Sequence, residues 1–398
     1  MRILYFAYEG FDTPNGTNHL AIKLIDYLLK EGYEVDLLSS HTKGDFDDIP
    51  DLLKERKGFR FDIVPRKNVN KLNFIKRYLL GIKYAYDCKK IWNKKKNEID
   101  VIILQSTQTV FFSSRLLKRH FKGRVIFNSY DVFPNVAYDS GAIKSKLLYK
   151  FLLFMQKKVY KNCDAIVVIS SDMRKNLIKQ GVSPEKIVEI RNWYDDSKIK
   201  LVDANNNRFI QKYNLHSNIF VVQYAGNFGI TFNYEYVIEV AKLLKNYKDI
   251  VFQMIGSGAF ENQFKESAKS CDNIFFYPWQ SLDIISDVYS ACDIELIPLS
   301  NGVINNSFPS KGSLLMACGK VIMCATEKGS DYYSFINNSG AGVCVSNSDP
   351  KEAADKILDL YNDRKKLKAM EETAKEFGHK NYSSSVCLPK FKQLIENE

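Results

Sequence analysis

"VEIRNWYDDSKIKLVDANNNRFIQKYN", residues 188–214, loses apolar periodicity and turns polar, and the same pattern runs on either side of it. Upstream, RILYFAY (2–8), YEVDLLSS (33–40), FRFDIVP (59–65), IDVIILQS (99–106), RVIFNSYD (124–131) and CDAIVVIS (163–170) read as strands separated by helix-length segments. Downstream, FVVQYAGNFG (220–229), IVFQMIGSG (250–258), NIFFYPW (273–279), DIELIPL (293–299), KVIMCAT (320–326) and AGVCVS (341–346) restart the pattern. Amphipathic, charged helices at 350–362, 364–377 and 386–397 follow. Short apolar runs spaced by helices point to parallel sheets covered on both faces. The polar stretch then reads as an interdomain linker. The expected fold is α/β, with two Rossmann-like, doubly wound domains facing one cleft, residues 1–198 and 199–377. Ligands of such sheets bind beyond the carboxyl ends of the strands. The loops to watch are therefore TPNGTNH (13–19), SYDVFPN (129–135), GNFGITF (226–232), GSG (256–258), YPWQ (277–280) and SFPSK (307–311).

Composition agrees with two packed domains: the chain has 398 residues, 45% of them apolar. No apolar run approaches the ~20 residues that cross a bilayer. MRILYFAYEG at the start is too short in apolar residues for a signal peptide and reads as a buried strand, so a cytoplasmic protein is expected. The eight cysteines form no C-x-x-C pair and mostly sit in apolar runs such as SACDIELIPL, which suits reduced, core-packing thiols. With five histidines that do not cluster with them, no metal site is expected.

The net charge of +11 is unevenly spread. Residues 66–96 hold eleven Lys/Arg against the single acid Asp87, and residues 141–161 hold six lysines and no acid. In the first stretch Leu72, Ile75, Leu79, Ile82 and Tyr86 recur at helical spacing. Two readings stay open: solvated helices with core-facing stripes, or a basic amphipathic surface resting on anionic lipid at the inner face of a cell membrane. Nucleic acid is not expected as a partner, because no recognition module of the common types is visible.

The stretch NSFPSKGSLLMACGKVIMCAT (306–326) carries the sharpest local signal. Pro309 pre-sets a turn, Ser310 is placed to cap a helix, and Gly319 stands at its C′ position. Lys311 falls in the first turn, where the helix dipole disfavours a cation, so an anion between the two is the natural explanation. A solvated surface lysine is the plain alternative. The glycines of GNFG (Gly226, Asn227, Phe228, Gly229) and of GSG (Gly256, Gly258) permit close backbone approach to a phosphate, as does Gly16 of TPNGTNH. Each could equally be a plain βα turn. In SYDVFPN, Asp131 either caps a turn or binds or deprotonates a hydroxyl, with Tyr130 and Phe133 beside it.

At these residues the chain resembles the retaining GT-B glycosyltransferases of family GT4, and is most similar to the fucosamine-transferase-like branch that builds bacterial surface polysaccharides. The passage KVYKNCDAIVVISSDMRKNLIKQGVSPEKIVEIRNWYD (157–195), then YAGNFG, MIGSG, YSACDIELIPL, PSK…MACGK and SGAGVCVSNSDPKEAADKI (339–357), follow the family's order over nearly the whole chain. The resemblance implies a nucleotide-diphosphate sugar on the second domain, with UDP preferred to GDP and no metal required. It implies a lipid-linked or polysaccharide acceptor on the first domain, and a last helix, about 378–398, that returns to that domain. Lys311 and the 226–229 amides would touch the diphosphate, and Trp279 and Gln280 would frame the base. Asn15, Tyr130 and Phe133 would face the acceptor, whose hydroxyl Asp131 would orient. The chain departs from the family where a Glu-x7-Glu pair is common, having Asn306 and Leu314. It also has Ile230 and Asn233 where Arg and Lys commonly meet the phosphates, and Tyr130 where many members have His. Glu327 is a candidate substitute near the sugar or ribose. These departures leave a non-catalytic GT-B partner as the second reading. A dinucleotide oxidoreductase is disfavoured, since no turn carries the full G-x-G-x-x-G with a downstream acid.

Overall fold

The computed structural model describes residues 1–11, 17–42, 49–67, 74–107, 109–215, 219–309 and 311–397. The chain divides into two compact units. Unit 1 comprises residues 1–138, 143–191 and 388–398; unit 2 comprises 139–142 and 192–387.

Among the described residues, unit 1 holds a parallel sheet of seven strands. They are β1 (Arg2–Phe6), β2 (Glu34–His41), β3 (Phe59–Pro65), β4 (Val101–Gln105), β5 (Arg124–Asn128), β6 (Ala165–Val168) and β7 (Ile187–Glu189). Their order is β3-β2-β1-β4-β5-β6-β7. Unit 2 holds a parallel sheet of six: β8 (Phe220–Asn227), β9 (Ile250–Ser257), β10 (Ile274–Tyr277), β11 (Ile294–Pro298), β12 (Val321–Thr326) and β13 (Gly342–Ser346). Their order is β10-β9-β8-β11-β12-β13. Each sheet reverses its winding once, at β1/β4 and at β8/β11, as a doubly wound sheet does. Helices lie between successive strands, so central strands are buried along their length; every residue of β11 and β12 is buried. The eight cysteines are free and buried.

The polar stretch 188–214 is more ordered than a linker. It contains the end of β7 and a helix, Arg208–Tyr213. Asn207 is fully buried, caps that helix through Phe209 N–H and Ile210 N–H, and donates its own amide to the Asp287 carbonyl at 2.7 Å. The Arg208 guanidinium bonds the Asp287 carboxylate at 2.8 Å, and Phe209 packs against Tyr213 and Tyr277. Polar residues here serve as caps and ion-pair partners of unit 2, which is why the periodicity vanished while the structure did not.

At the chain's end, the helix Ser384–Glu396 runs past the boundary between the units. Its second half belongs to unit 1, where Lys392 Nζ bonds Glu31 at 2.7 Å and Tyr33 donates to Glu396 at 2.6 Å.

Candidate functional site

The carboxyl end of the unit 2 sheet, at its β8/β11 switch point, gathers an unusual set of charges. Glu295 lies in β11 opposite Gln223 of β8 and is fully buried. Its Oε1 accepts the Ala225 N–H at 2.9 Å and its Oε2 accepts the Gln223 side-chain amide at 3.0 Å. Gln223 in turn donates to the Val288 carbonyl at 3.0 Å and accepts from Gln253 at 2.6 Å. This polar chain spans three adjacent strands and fixes the carboxylate in place.

Lys311, the first residue of the helix Lys311–Ala317, brings its ammonium to this carboxylate. Nζ stands 4.0 Å from Glu295 Oε1, beyond hydrogen-bond reach, and 3.3 Å from the centroid of the Tyr224 ring. It is buried and has no hydrogen-bond partner among the described residues. Lys320 supplies the contrast. Its side chain is 12% exposed against 16% for Lys311, yet its ammonium bonds Glu371 at 3.0 Å. A buried cation normally acquires such a partner, because an unmade charged hydrogen bond is costly. Burial pushes the Lys311 ammonium down to about 8, with Glu295 opposing the fall. Burial likewise holds the Glu295 carboxyl up at about 7 against the pull of Lys311. The arrangement is a buried positive charge, held over an aromatic ring and near a carboxylate, whose N–H donors meet no hydrogen-bond acceptor among the described residues. An oxyanion would satisfy it.

The glycines make this geometry possible. A Cβ on Gly226 would stand 2.8 Å from Lys311 Nζ, so only glycine leaves the ammonium its place. Gly256 has φ +144°, and a Cβ there would come within 1.9 Å of the Gly226 carbonyl oxygen. The two turns that follow β8 and β9 thus rest directly on each other. Gly258 and Gly229 complete the contact, since side chains there would collide with the Phe228 carbonyl at 2.5 Å and with the Asn227 amide at 2.6 Å. Gly226, Asn227, Gly229, Gly256, Gly258 and Lys311 are brought together in unit 2.

Other expected residues have different work. The Phe228 ring is fully buried against Tyr224, Phe232 and Phe264, and its N–H donates to the Ser257 carbonyl at 2.9 Å. It anchors the loop and does not offer its amide. Gln280 is buried and bonds the Tyr213 hydroxyl at 3.1 Å and the Pro278 carbonyl at 2.7 Å, whereas its neighbour Trp279 is half exposed after β10. Glu327 accepts the Gly302 N–H at 2.5 Å and the Thr326 hydroxyl at 3.1 Å, which ties down the 300–302 loop. Asn306 is fully buried and joins the same loop, donating to Asp139 at 2.6 Å and to the Gly302 carbonyl at 2.9 Å. Leu314 is half-buried on the Lys311–Ala317 helix. Asn233 caps the helix Tyr234–Leu243 through Tyr236 N–H, and Ile230 is exposed. Ser310 lies outside the described residues, as do Asn15 and Gly16. The helix behind Lys311 has seven residues, so its dipole is a minor part of the charge here.

In unit 1, Asp131 follows β5 and is exposed, with Phe133 half-buried nearby. Tyr130 departs from expectation. It is buried, its hydroxyl accepts the Asn128 side-chain amide at 3.0 Å, and burial pushes it up to about 12. It belongs to the core beneath the turn and does not line its surface. Among the described residues no cluster of His, Cys, Asp or Glu is arranged to hold a metal ion.

Glu295 and Tyr224, which define the site, escaped the sequence reading. The available signal was an acid in the middle of the apolar run DIELIPL, since a charged residue on a central strand is rarely buried without a partner.

Two doubly wound units, the second with a buried lysine beside its switch point, have the architecture of the GT-B glycosyltransferase class. Residues 14–198 match the family model "Glycosyltransferase Family 4", and residues 205–377 match "Glycosyl transferases group 1". The chain therefore carries both domains of a GT4-type, GT-B glycosyltransferase. It is similar to WbjE of Pseudomonas aeruginosa, assigned as a glycosyltransferase, with 25% identity over 96% of this chain and 94% of that protein. WcaI of Escherichia coli (strain K12), assigned as a glycosyl transferase of colanic acid biosynthesis, is 26% identical over 46% of each chain. Among solved structures, Anabaena Alr3699/HepE in complex with UDP and glucose superposes with a TM-score of 0.76 at 14% identity, covering 99% of both chains. That likeness speaks for the fold.

Proposed function

We propose that this glycosyltransferase moves a sugar, with retention of anomeric configuration, from a nucleotide-diphosphate donor to a lipid-linked or polysaccharide acceptor in bacterial surface-glycan synthesis. The observation that carries the reading is the buried ammonium of Lys311 at the unit 2 switch point, which has no hydrogen-bond partner among the described residues. The surface-glycan setting is supported by WcaI's assignment to colanic acid biosynthesis. The choice of UDP is supported by the UDP complexes of the HepE structures.

In this reading the donor diphosphate draws Nζ off the Tyr224 ring and takes up its N–H donors. As the bond from the anomeric carbon to the diphosphate oxygen breaks, charge grows on the leaving oxygen, and Lys311 stabilises it there. The acceptor oxygen forms the new bond on the same face, and its proton passes to the departing phosphate. No strong protein base is then needed, and placement supplies most of the rate. Asp131 orients the acceptor hydroxyl, and Trp279 stacks on the base. The reaction needs no metal, and the enzyme works at the cytoplasmic side of the membrane, where such acceptors are elongated. Titration calorimetry with UDP tests the donor site, with wild type binding and Lys311→Ala strongly weakened.

A non-catalytic GT-B partner is the second reading. It is favoured by Leu314 and by Asn306, whose side chain is occupied in holding the 302 loop to Asp139. Absence of UDP binding at millimolar concentration would select it.

A further inference from the structure

The helix Lys146–Asn162 turns the wrong side chains to solvent. Its inner face buries Leu152, Met155, Val159 and Tyr160, as an amphipathic helix should. Its outer face is expected to be polar, yet Leu147 is 81% exposed, Phe151 57% and Phe154 59%. These residues stand at i, i+4 and i+7, so they form one ridge, which Lys158 continues at i+11. Lys158 Nζ lies 5.1 Å over the Phe154 ring, and Lys150, Lys157 and Lys161 are exposed beside the ridge.

The helix Phe74–Lys95 repeats the design. Leu79 and Tyr86, members of the stripe for which core-facing and lipid-facing readings stayed open, are 60% and 67% exposed. They alternate with the exposed lysines 83 and 90 at the same i, i+4, i+7, i+11 spacing. The two helices meet where the Tyr78 hydroxyl donates to Met155 Sδ at 3.5 Å, and both pack on the helix Val110–Lys118. Both ridges therefore belong to one helical layer of unit 1. Single exposed apolar residues are ordinary on any protein. Five large ones on two helices of one layer, interleaved with lysines, exceed that ordinary scatter.

We propose that this layer docks unit 1 on an anionic lipid bilayer, with Leu147, Phe151 and Phe154 entering the acyl boundary and the lysines reaching phosphate headgroups. Charge complementarity selects the occupant. Residues 141–161 contain no acid, and Asp87 in the other helix is already paired with Lys83 at 2.5 Å. Lysines beside a shallow apolar ridge extend their stems over it and place their charges at headgroup height. The inference deepens the functional reading by naming the surface that meets a lipid-borne acceptor, but its test does not involve the donor site.

The test is flotation of the full chain with vesicles of phosphatidylcholine containing about a third phosphatidylglycerol, by analogy with the anionic leaflet such surfaces recognise. Wild type is expected to float with these vesicles and to stay behind with pure phosphatidylcholine. The triple variant Leu147→Ser/Phe151→Ser/Phe154→Ser should lose at least tenfold in vesicle affinity, with UDP affinity unchanged as the control for folding. Lys150→Glu/Lys157→Glu, which touches only exposed side chains, should lose as much and independently of the apolar ridge. Failure of wild type to bind anionic vesicles would overturn the proposal. So would equal binding by the triple variant, equal binding to neutral lipid, or tighter binding to an RNA oligonucleotide. None of these outcomes would bear on donor binding.

Discussion

Lys311 Nζ and Glu295 Oε1 stand 4.0 Å apart inside unit 2, close enough to share a field and too far apart to share a hydrogen bond. The carboxylate is held back by the Ala225 amide and by Gln223, so it offers charge without offering its oxygens. Glu295 thereby keeps the buried lysine protonated and leaves its donors open. A tighter ion pair would have consumed the site it supports.

Removal of the ammonium is the first test. Lys311→Ala deletes a charge-assisted contact worth about 1.5–3 kcal/mol, so UDP affinity should fall roughly 10- to 150-fold. Lys311→Arg should not restore it, because a planar guanidinium does not fit between the Tyr224 ring and Gly226. Calorimetry at pH 7 measures both.

The pH dependence of binding and that of stability should have opposite signs. The Lys311 ammonium sits at about 8 in the folded chain against an ordinary 10.5. Between those values the unfolded chain holds the extra proton, so the stability of the unliganded protein gains from this residue as pH rises through that window. UDP binding requires the charged lysine and should weaken as pH rises through about 8. Glu295, raised from 4.5 to about 7, acts on stability in the opposite sense, its contribution being lost as pH climbs from 4.5 to 7. Lys311→Met should abolish both alkaline trends, and Glu295→Gln should move the binding midpoint below 8. Calorimetry and thermal melts from pH 7 to 10 follow them.

The glycine contact should separate binding from folding. Gly226→Ala places a methyl 2.8 Å from Nζ and should cut UDP affinity with a small effect on melting. Gly256→Ala drives a methyl into the Gly226 carbonyl at a positive φ and should cost about 2–3 kcal/mol. A melting temperature lowered by roughly 5–10 °C is the expected reading.

In the proposed donor site Trp279 stacks on the base, and its ring is exposed enough to do so. Trp279→Ala should weaken UDP by about 1–3 kcal/mol, as loss of one aromatic–base contact does. Pyrophosphate affinity should be unchanged, since it reports the Lys311 end of the site. Equal losses for both ligands would remove Trp279 from the base site.

Much of this was legible in the sequence, for stated reasons. Buried parallel strands are near-continuous apolar runs, so VIMCAT and IDVIILQS announced β12 and β4. Gly319 was recognisable as a helix stop and has φ +65°. Lys311 stood out because a cation in the first turn of a helix wants a reason. The rest was hidden where polar residues work inside the fold. Asn207 and Arg208 read as linker although they secure a helix to Asp287. Tyr130, Phe228 and Gln280 read as loop residues free to meet ligands, while long-range packing buries all three. Leu79 and Tyr86 kept a helical period, and only the tertiary packing, which buries Tyr84, Cys88 and Trp92 of the same helix, shows that they take its outer side.

A crystal structure of the chain with UDP bound is the most direct test of the central claim. The expected result is a β-phosphate oxygen within about 3 Å of Lys311 Nζ, beside Gly226 and with Glu295 still bonded to the Ala225 amide. A diphosphate seated elsewhere, with the ammonium still resting on the Tyr224 ring, would contradict the account.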